Sequence, residues 1–399
     1  MKSSISRASQ SLDTLHRRLL IAGVCALILT VGLARFAYTP MLPIMMANAG
    51  LSKLAGAWLA AVNYAGYMVG TLVAASISRY RVKFALYRGG LVVAVLSTAG
   101  MGLTDNVVVW ALLRFVAGAS SAAGLLLASG LVLNWMVSHA RRPELGLHFA
   151  GLGLGIAISG LAVSVTDWLS WERQWMALGV FSVAFMTVAW LWMPTPQDTA
   201  QSSHGKSGEA RNGVPTRRWM YLAIAAYFCA GFGFAIGATF IVAIMETVPL
   251  LAGHGGWVWV IVGIFATPST FLWDRIALAL GTTRSLVVAY AIQAVGLLLP
   301  AVSENAALNL LSAAIFGGSF AGIVSLTLTL VGRHFPGNPA KAMAKITLGY
   351  GVAQILAPAM AGYIAKASGS YAGALWVTAC VLSAGAGLLC MLSREEHSR

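Results

Sequence analysis

Val31-Gly32-Leu33-Ala34-Arg35-Phe36-Ala37-Tyr38-Thr39-Pro40-Met41-Leu42-Pro43 is the stretch on which the reading of this chain turns. It lies inside the first long apolar run, residues 19–46, and sets a cation in the middle of it. About 20 apolar residues, each rising about 1.5 Å, cover a hydrocarbon core of about 30 Å, so the run is long enough to cross a bilayer. Arg35 then sits at membrane depth. An arginine there costs about 2.5 to 3.5 kcal/mol on the translocon scale, so it is expected to face a polar cavity or a partner rather than lipid. Pro40 and Pro43 remove backbone donors just beyond it and are expected to bend the helix, which lipid tolerates only where protein or water re-satisfies the freed carbonyls. The helix is therefore read as the wall of a transport pathway.

Composition carries the same message outward to the whole chain. Of its 399 residues, 58% are hydrophobic and only 10% charged, with a mean hydropathy of +0.79. That is a polytopic membrane protein rather than a set of soluble domains. The formal charge of +14 would suggest nucleic acid in a soluble chain, but here the basic residues fall in short loops between apolar runs, where lipid headgroups and topology account for them. The four cysteines lie inside apolar runs without paired spacing, so neither disulfides nor a metal site is expected. Gly32-Leu33-Ala34 mimics a signal-peptidase site. Cleavage there would remove the counterpart of residues 219–247, and the first run is read as retained.

The apolar runs fall at 19–46, 54–78, 89–103, 106–137, 145–165 and 174–193, then at 219–247, 256–273, 285–301, 305–332, 342–365 and 371–392. Numbered in order as spans 1 to 12, they predict an all-α membrane protein of twelve transmembrane helices. Residues 1–194 and 219–399 form two six-helix halves, and the Ser-, Gly- and charge-rich residues 195–218 read as a linker. Lys2, Arg7, Arg17, Arg18, Arg79, Arg81, Lys83, Arg88, Arg141, Arg142, Lys206, Arg211, Arg217 and Arg218 fall on one side, as do Arg275, Arg284, Arg333, Lys341, Lys345, Arg394 and Arg399. The opposite loops hold Lys53, Arg173 and Lys366. By the positive-inside rule both termini and the linker are expected in the cytoplasm.

The halves repeat weakly. Residues 112–124 lie without gaps on residues 310–322, and span 1 lies on span 7 with Thr39 over Thr239 and Met45 over Met245. In that register Arg35 corresponds to Ala235 and Arg114 to Ser312, so both buried cations belong to the first half. Repeated halves of this kind mark transporters whose substrate binds near the midplane.

Twelve spans divided six and six, Arg114-x-x-x-Gly118 in span 4, and Trp273-Asp274-Arg275 with Gly281 and Arg284 after span 8 resemble the major facilitator superfamily. More narrowly, Gly32 to Pro43 as quoted, followed by Trp58-Leu59-Ala60-Ala61-Val62-Asn63-Tyr64-Ala65-Gly66-Tyr67 and Gly70, is similar to its YbfB/YjiJ-type branch. The resemblance implies a secondary transporter whose spans 1, 4, 7 and 10 line a central cavity. It also implies a cytoplasmic charge lock, with Arg79, Asp274, Arg275 and Arg284 as gating residues. Ser78-Arg79 stands where an Asp-Arg pair is expected, so the lock is supported in the second half only. Gly151-x-Gly153-x-Gly155 lacks the proline of the exporter-type motif.

Arg35 and Arg114 come from helices running in opposite directions, about 16 Å and 12 Å from the outer ends of their spans. Two like charges at one depth are best relieved by a bound anion, which guanidinium forks hold bidentately. A small organic carboxylate is the expected substrate, with Arg35, Tyr38, Asn63, Tyr67, Arg114 and Gln354 as candidate binding residues. The bland alternatives are an Arg114 hydrogen-bonded to helix carbonyls, an Arg35 that snorkels outward, and an Asn63 that joins two helices beside a glycine contact. Glu246 and His148 are the candidates for proton coupling; anion exchange needs neither. Trp171, Trp257 and Trp259 are expected as interfacial anchors.

No catalytic, phosphate-binding, nucleic-acid or metal motif emerges, so no enzyme, cofactor or nucleic-acid partner is expected; membrane lipids and a small solute are, around a monomer. Two other functions compete: proton-coupled efflux of hydrophobic compounds, and a membrane sensor that binds without transporting. The linker of about 24 residues is of ordinary loop length, which argues against the sensor.

Overall fold

The computed structural model describes residues 2–139, 145–196, 216–335 and 339–397. Among them every regular element is helical. Eleven helices are long and apolar enough to cross a membrane, and a bent pair supplies a twelfth crossing. Spans 1 to 6 are Leu12–Asn48, Lys53–Ser76, Tyr80–Leu103, Val107–Ser138, Gly146–Ser164 and Trp171–Trp192. Spans 7 to 12 are Arg217–Met245, the pair Gly255–Ala266 and Ser269–Leu280, then Thr282–Val302, Ala306–His334, Lys341–Ser368 and Ala372–Glu396. Most of the linker, with Lys206 and Arg211, lies outside the described residues, as do Arg141, Arg142 and Arg399.

Span 8 departs from its expected bounds, 256–273. Pro268 interrupts it, and its two pieces meet at 41°, since a proline neither donates to the preceding turn nor fits inside it. Trp273-Asp274-Arg275 consequently stands within the second piece rather than after the span. The repeat is visible in how spans 4 and 10 begin. Asn106 Oδ1 accepts from the Val108 and Val109 amides at 2.8 and 3.3 Å, and Asn305 Oδ1 accepts from Ala307 and Leu308 at 2.9 and 3.2 Å. Both are N-caps that satisfy the first free amides of a helix.

Span 1 is not a uniform α-helix. An α-helical start ends at Leu27, residues Ile28–Phe36 wind as a π-helix, and Tyr38–Asn48 resume the α form. The Ala37 amide closes the wide turn by donating to Gly32 O at 2.9 Å. Span 4 contains a second π-helix at Ala123–Ala128. Spans 7 and 10, their counterparts, are continuous α-helices of 29 residues each.

Glycines decide how closely the spans pack. A Cβ on Gly32 would lie 2.5 Å from Gly155 Cα, joining spans 1 and 5, and one on Gly118 would lie 1.9 Å from Asn63 O, joining spans 4 and 2. Gly153, Gly160 and Gly263 do the same between spans 5 and 8, where added methyls would lie 2.4 Å from Thr267 N, 2.6 Å from Gly256 O and 2.2 Å from Ala157 N.

These contacts also show where the two halves meet. The main contacts between them are span 5 with Gly255–Ala266, span 2 with span 11, and the Tyr38–Asn48 end of span 1 with span 7. All but the middle of the span 2 and 11 contact lie toward the end of the bundle opposite the termini. At the termini's end, Lys2–Leu27, Ser129–Ser138 and Ser269–Leu280 make their main contacts within their own half. The bundle is joined at one end and parted at the other.

Candidate functional site

The π-helix explains the chemistry around Arg35. Pro40 carries no N–H, so it leaves the carbonyl of Arg35 in π register, or of Phe36 in α register, without its backbone donor. Span 4 supplies donors instead. Arg114 Nη1 donates to Ala34 O at 3.0 Å and Nη2 to Arg35 O at 2.9 Å. Two turns further along span 4, Ser121 Oγ donates to Thr30 O at 3.0 Å. Arg114 is buried, and its guanidinium lies 4.5 Å from the Tyr38 ring centroid. Both its terminal nitrogens are therefore committed to helix carbonyls. Arg114 holds the interrupted helix with its terminal nitrogens, while its Nε, like that of Arg35, is buried without an acceptor.

Arg35 is left differently. It is 4% exposed, and its guanidinium carbon lies 5.1, 4.9 and 4.3 Å from the ring centroids of Phe36, Tyr64 and Tyr67. Cation–π contacts of this kind contribute about 0.5 to 2 kcal/mol each. Rings do not accept in the guanidinium plane, however, and the N–H donors point along its edge. Nε is buried with no acceptor. Among the described residues, no aspartate or glutamate is buried, and the ion pairs found are Arg218 with Glu395 and His334 with Glu396, far along the chain.

The other predicted residues divide. Asn63 donates from Nδ2 to Arg114 O at 2.7 Å and so joins spans 2 and 4, while half-buried Tyr67, one turn on, lies over Arg35. Tyr38 donates to Gly56 O at 2.9 Å. Gln354 is buried in span 11 with Oε1 unpartnered. Glu246 caps the helix Gly255–Ala266, accepting from Gly253 N at 2.6 Å and Gly255 N at 2.8 Å. His148 is buried between spans 1, 4 and 5, with Nε2 2.8 Å from Ser129 Oγ. It packs on Gly23, about 18 Å before Arg35 along the helix axis. Neither coupling candidate reaches Arg35. Arg79, Asp274, Arg275 and Arg284 are exposed at the parted end, and among the described residues no ion pair joins them. Trp259 is a correction: it is fully buried at the seam between spans 5 and 8, with Nε1 donating to Ser159 Oγ at 3.2 Å, and Trp171 is buried against Trp110.

Several residues at the site went unnoticed in the sequence. Thr39 donates to Ala238 O across the halves, and Tyr64 Oη lies 3.5 Å from Thr239 Oγ1. Phe234 of span 7 meets Phe36 at 6.1 Å and Tyr64 at 6.3 Å, both edge to face. The repeat register over Thr39 and Thr239 pointed to the threonines, whereas nothing distinguishes Phe234 from its neighbours in sequence. Arg35, Phe36, Tyr38, Thr39, Tyr64 and Thr239 enclose a cavity of about 10 Å³, room for about one water. A second cavity of about 500 Å³ lies near the joined end, beside Pro40, Pro43, Asp167, Glu246 and His254.

A twelve-crossing bundle parted at one end, with a buried cation that no buried carboxylate among the described residues pairs where its halves meet, is the architecture of a secondary transporter. The family model described as "Uncharacterised MFS-type transporter YbfB" matches residues 27–390, and the chain belongs to that family. Among solved structures, the nucleoside transporter NupG superposes with a TM-score of 0.76 at 12% identity, covering 95% of this chain and 98% of that one. A bacterial homologue of the human lysosomal transporter Spinster, inward-facing and unoccupied, gives a TM-score of 0.67 at 14% identity, covering 96% and 97%. These likenesses establish the fold. No curated protein matches the sequence.

Proposed function

We propose that this protein moves a small organic carboxylate across the bacterial inner membrane by alternating access, as a monomer with both termini in the cytoplasm, and that Arg35 anchors the anion. The observation that carries this reading is the Arg35 guanidinium: buried where the halves meet, crowded by three rings, with its Nε lacking an acceptor and no buried carboxylate among the described residues to pair it. A buried cation without a partner is a strained arrangement, and a carboxylate arriving at the edge relieves it with two parallel hydrogen bonds. In this reading the parted end faces the cytoplasm, and the unengaged charges of Asp274, Arg275 and Arg284 belong to a lock that forms when that end closes. Glu246 is occupied by two amides and His148 lies remote from Arg35, which favours exchange of one anion for another over proton symport.

The test is thermal unfolding of the purified protein and of Arg35→Gln against small carboxylates, inorganic anions and lipophilic cations. A ligand at 100 times its dissociation constant adds about 2.7 kcal/mol to the folded state. Carboxylates are expected to raise the wild-type midpoint and leave Arg35→Gln unmoved. Stabilisation of both proteins by lipophilic cations alone would replace this reading with efflux of hydrophobic compounds.

A further inference from the structure

The surroundings of Arg35 restrict the acid further. We infer that the carboxylate taken at Arg35 belongs to an aromatic monocarboxylic acid, an inference that rests on the carboxylate reading above. A carboxylate bound bidentately lies in the plane of the guanidinium. Phe36, Tyr64 and Tyr67 lie within 5.1 Å of the guanidinium carbon, so whatever the carboxylate is attached to continues among rings. A flat substituent packs among rings with less displacement than a puckered or branched one.

The opposite half supplies a matching wall. Phe234 touches Phe36 and Tyr64 edge to face at interplanar angles of 70° and 73°. It also lies 6.0 Å from Tyr350, 5.3 Å from Phe320 and 6.4 Å from Phe316. These rings pack on one another and on Phe36 and Tyr64, which with Tyr38 line the cavity of about 10 Å³ beside Arg35. A ligand must therefore displace contacts between rings in order to enter. An aromatic acid replaces edge-to-face contacts with contacts of the same kind, whereas a saturated acid of equal size gives up the quadrupole part of each. The acid carries one carboxylate because the terminal nitrogens of Arg114 are engaged by backbone carbonyls, leaving its Nε alone without an acceptor.

Four probes separate this inference from the reading beneath it. Benzoate, cyclohexanecarboxylate, succinate and neutral benzamide are titrated calorimetrically into the wild-type protein in nanodiscs, so the main comparison needs no mutant. Benzoate is expected to bind about tenfold more tightly than cyclohexanecarboxylate, with succinate weaker still and benzamide silent. If cyclohexanecarboxylate or succinate matches benzoate, the aromatic inference is overturned while the carboxylate reading stands. If benzamide equals benzoate, or if no acid binds, both are overturned. Tyr67→Leu, at the nearest and half-exposed ring, gives a second check once gel filtration shows it folded. Its preference for benzoate over the saturated acid is expected to fall to about threefold, and an undiminished preference overturns the inference.

Discussion

Spans 1 and 4 and spans 7 and 10 are related by the repeat, yet they solve the problem of crossing the membrane in opposite ways. Spans 7 and 10 are unbroken α-helices of 29 residues, apolar where they meet the centre, with Ala235 and Ser312 at the positions of the arginines. Spans 1 and 4 each contain a π-helix and carry Arg35 and Arg114. The difference shows how one irregularity recruits another. Pro40 and the wide turns before it expose carbonyls, Arg114 and Ser121 supply donors to them, and Phe36, next to Arg35, is set against Phe234 of span 7. The first half is polar because it is broken, and the second, unbroken, can afford a wall of rings.

Removing the donor should damage the broken half most. Arg114→Ala takes a donor from two buried carbonyls, of which Arg35 O has also lost its backbone donor to Pro40; an unsatisfied carbonyl costs about 1 to 3 kcal/mol, and a loss of that size is expected in denaturant unfolding of the detergent-solubilised protein. Ser312→Ala should change stability by less than about 1 kcal/mol, and equal losses at the two positions would erase the contrast drawn here. A double-mutant cycle sharpens it. If Arg114 compensates for the amide missing at Pro40, then Pro40→Ala should lessen the damage of Arg114→Ala by about 1 kcal/mol; strict additivity would uncouple them.

Glycines make the next comparison. Gly118→Ala drives a methyl to 1.9 Å from Asn63 O and should cost about 1 to 3 kcal/mol by overpacking. Gly318 of span 10 has nothing near an added Cβ, and Gly318→Ala should be neutral or stabilising by up to about 1 kcal/mol through helix propensity. At the small end, Glu246→Ala uncaps Gly255–Ala266 and is expected to lower stability by about 1 kcal/mol without touching anion binding, read in the same thermal-shift assay.

Much of the architecture was legible because bilayer thickness imposes it. The apolar runs and their helical winding follow from length and hydropathy, and the repeat register sets Ala235 and Ser312 at the positions of the two arginines. What stayed hidden depends on a few ångströms of side-chain reach or on local winding. Asn63 and Tyr67 are one turn apart on span 2, yet the short amide ends on the span 4 backbone while the long phenol extends to Arg35. Arg114 reads as a second ligand only while span 1 is assumed α-helical; counting back five rather than four from Pro40 reaches Arg35 O, one of the two carbonyls it satisfies. Trp259, placed near a span end by its position, is enclosed because the glycines of span 5 admit span 8 so closely.

That close approach has a mechanical consequence. Between spans 5 and 8, Gly153, Gly160 and Gly263 bring backbone against backbone, so over these turns few side chains interlock, Trp259 with its bond to Ser159 being one that does. Such a surface behaves as a bearing with one key: the two helices can roll past one another about the Trp259 contact with few side chains to climb over. A single added methyl at Gly160 or Gly263 would act as a pawl, fixing the angle between the halves at whichever setting first lets it drop into place.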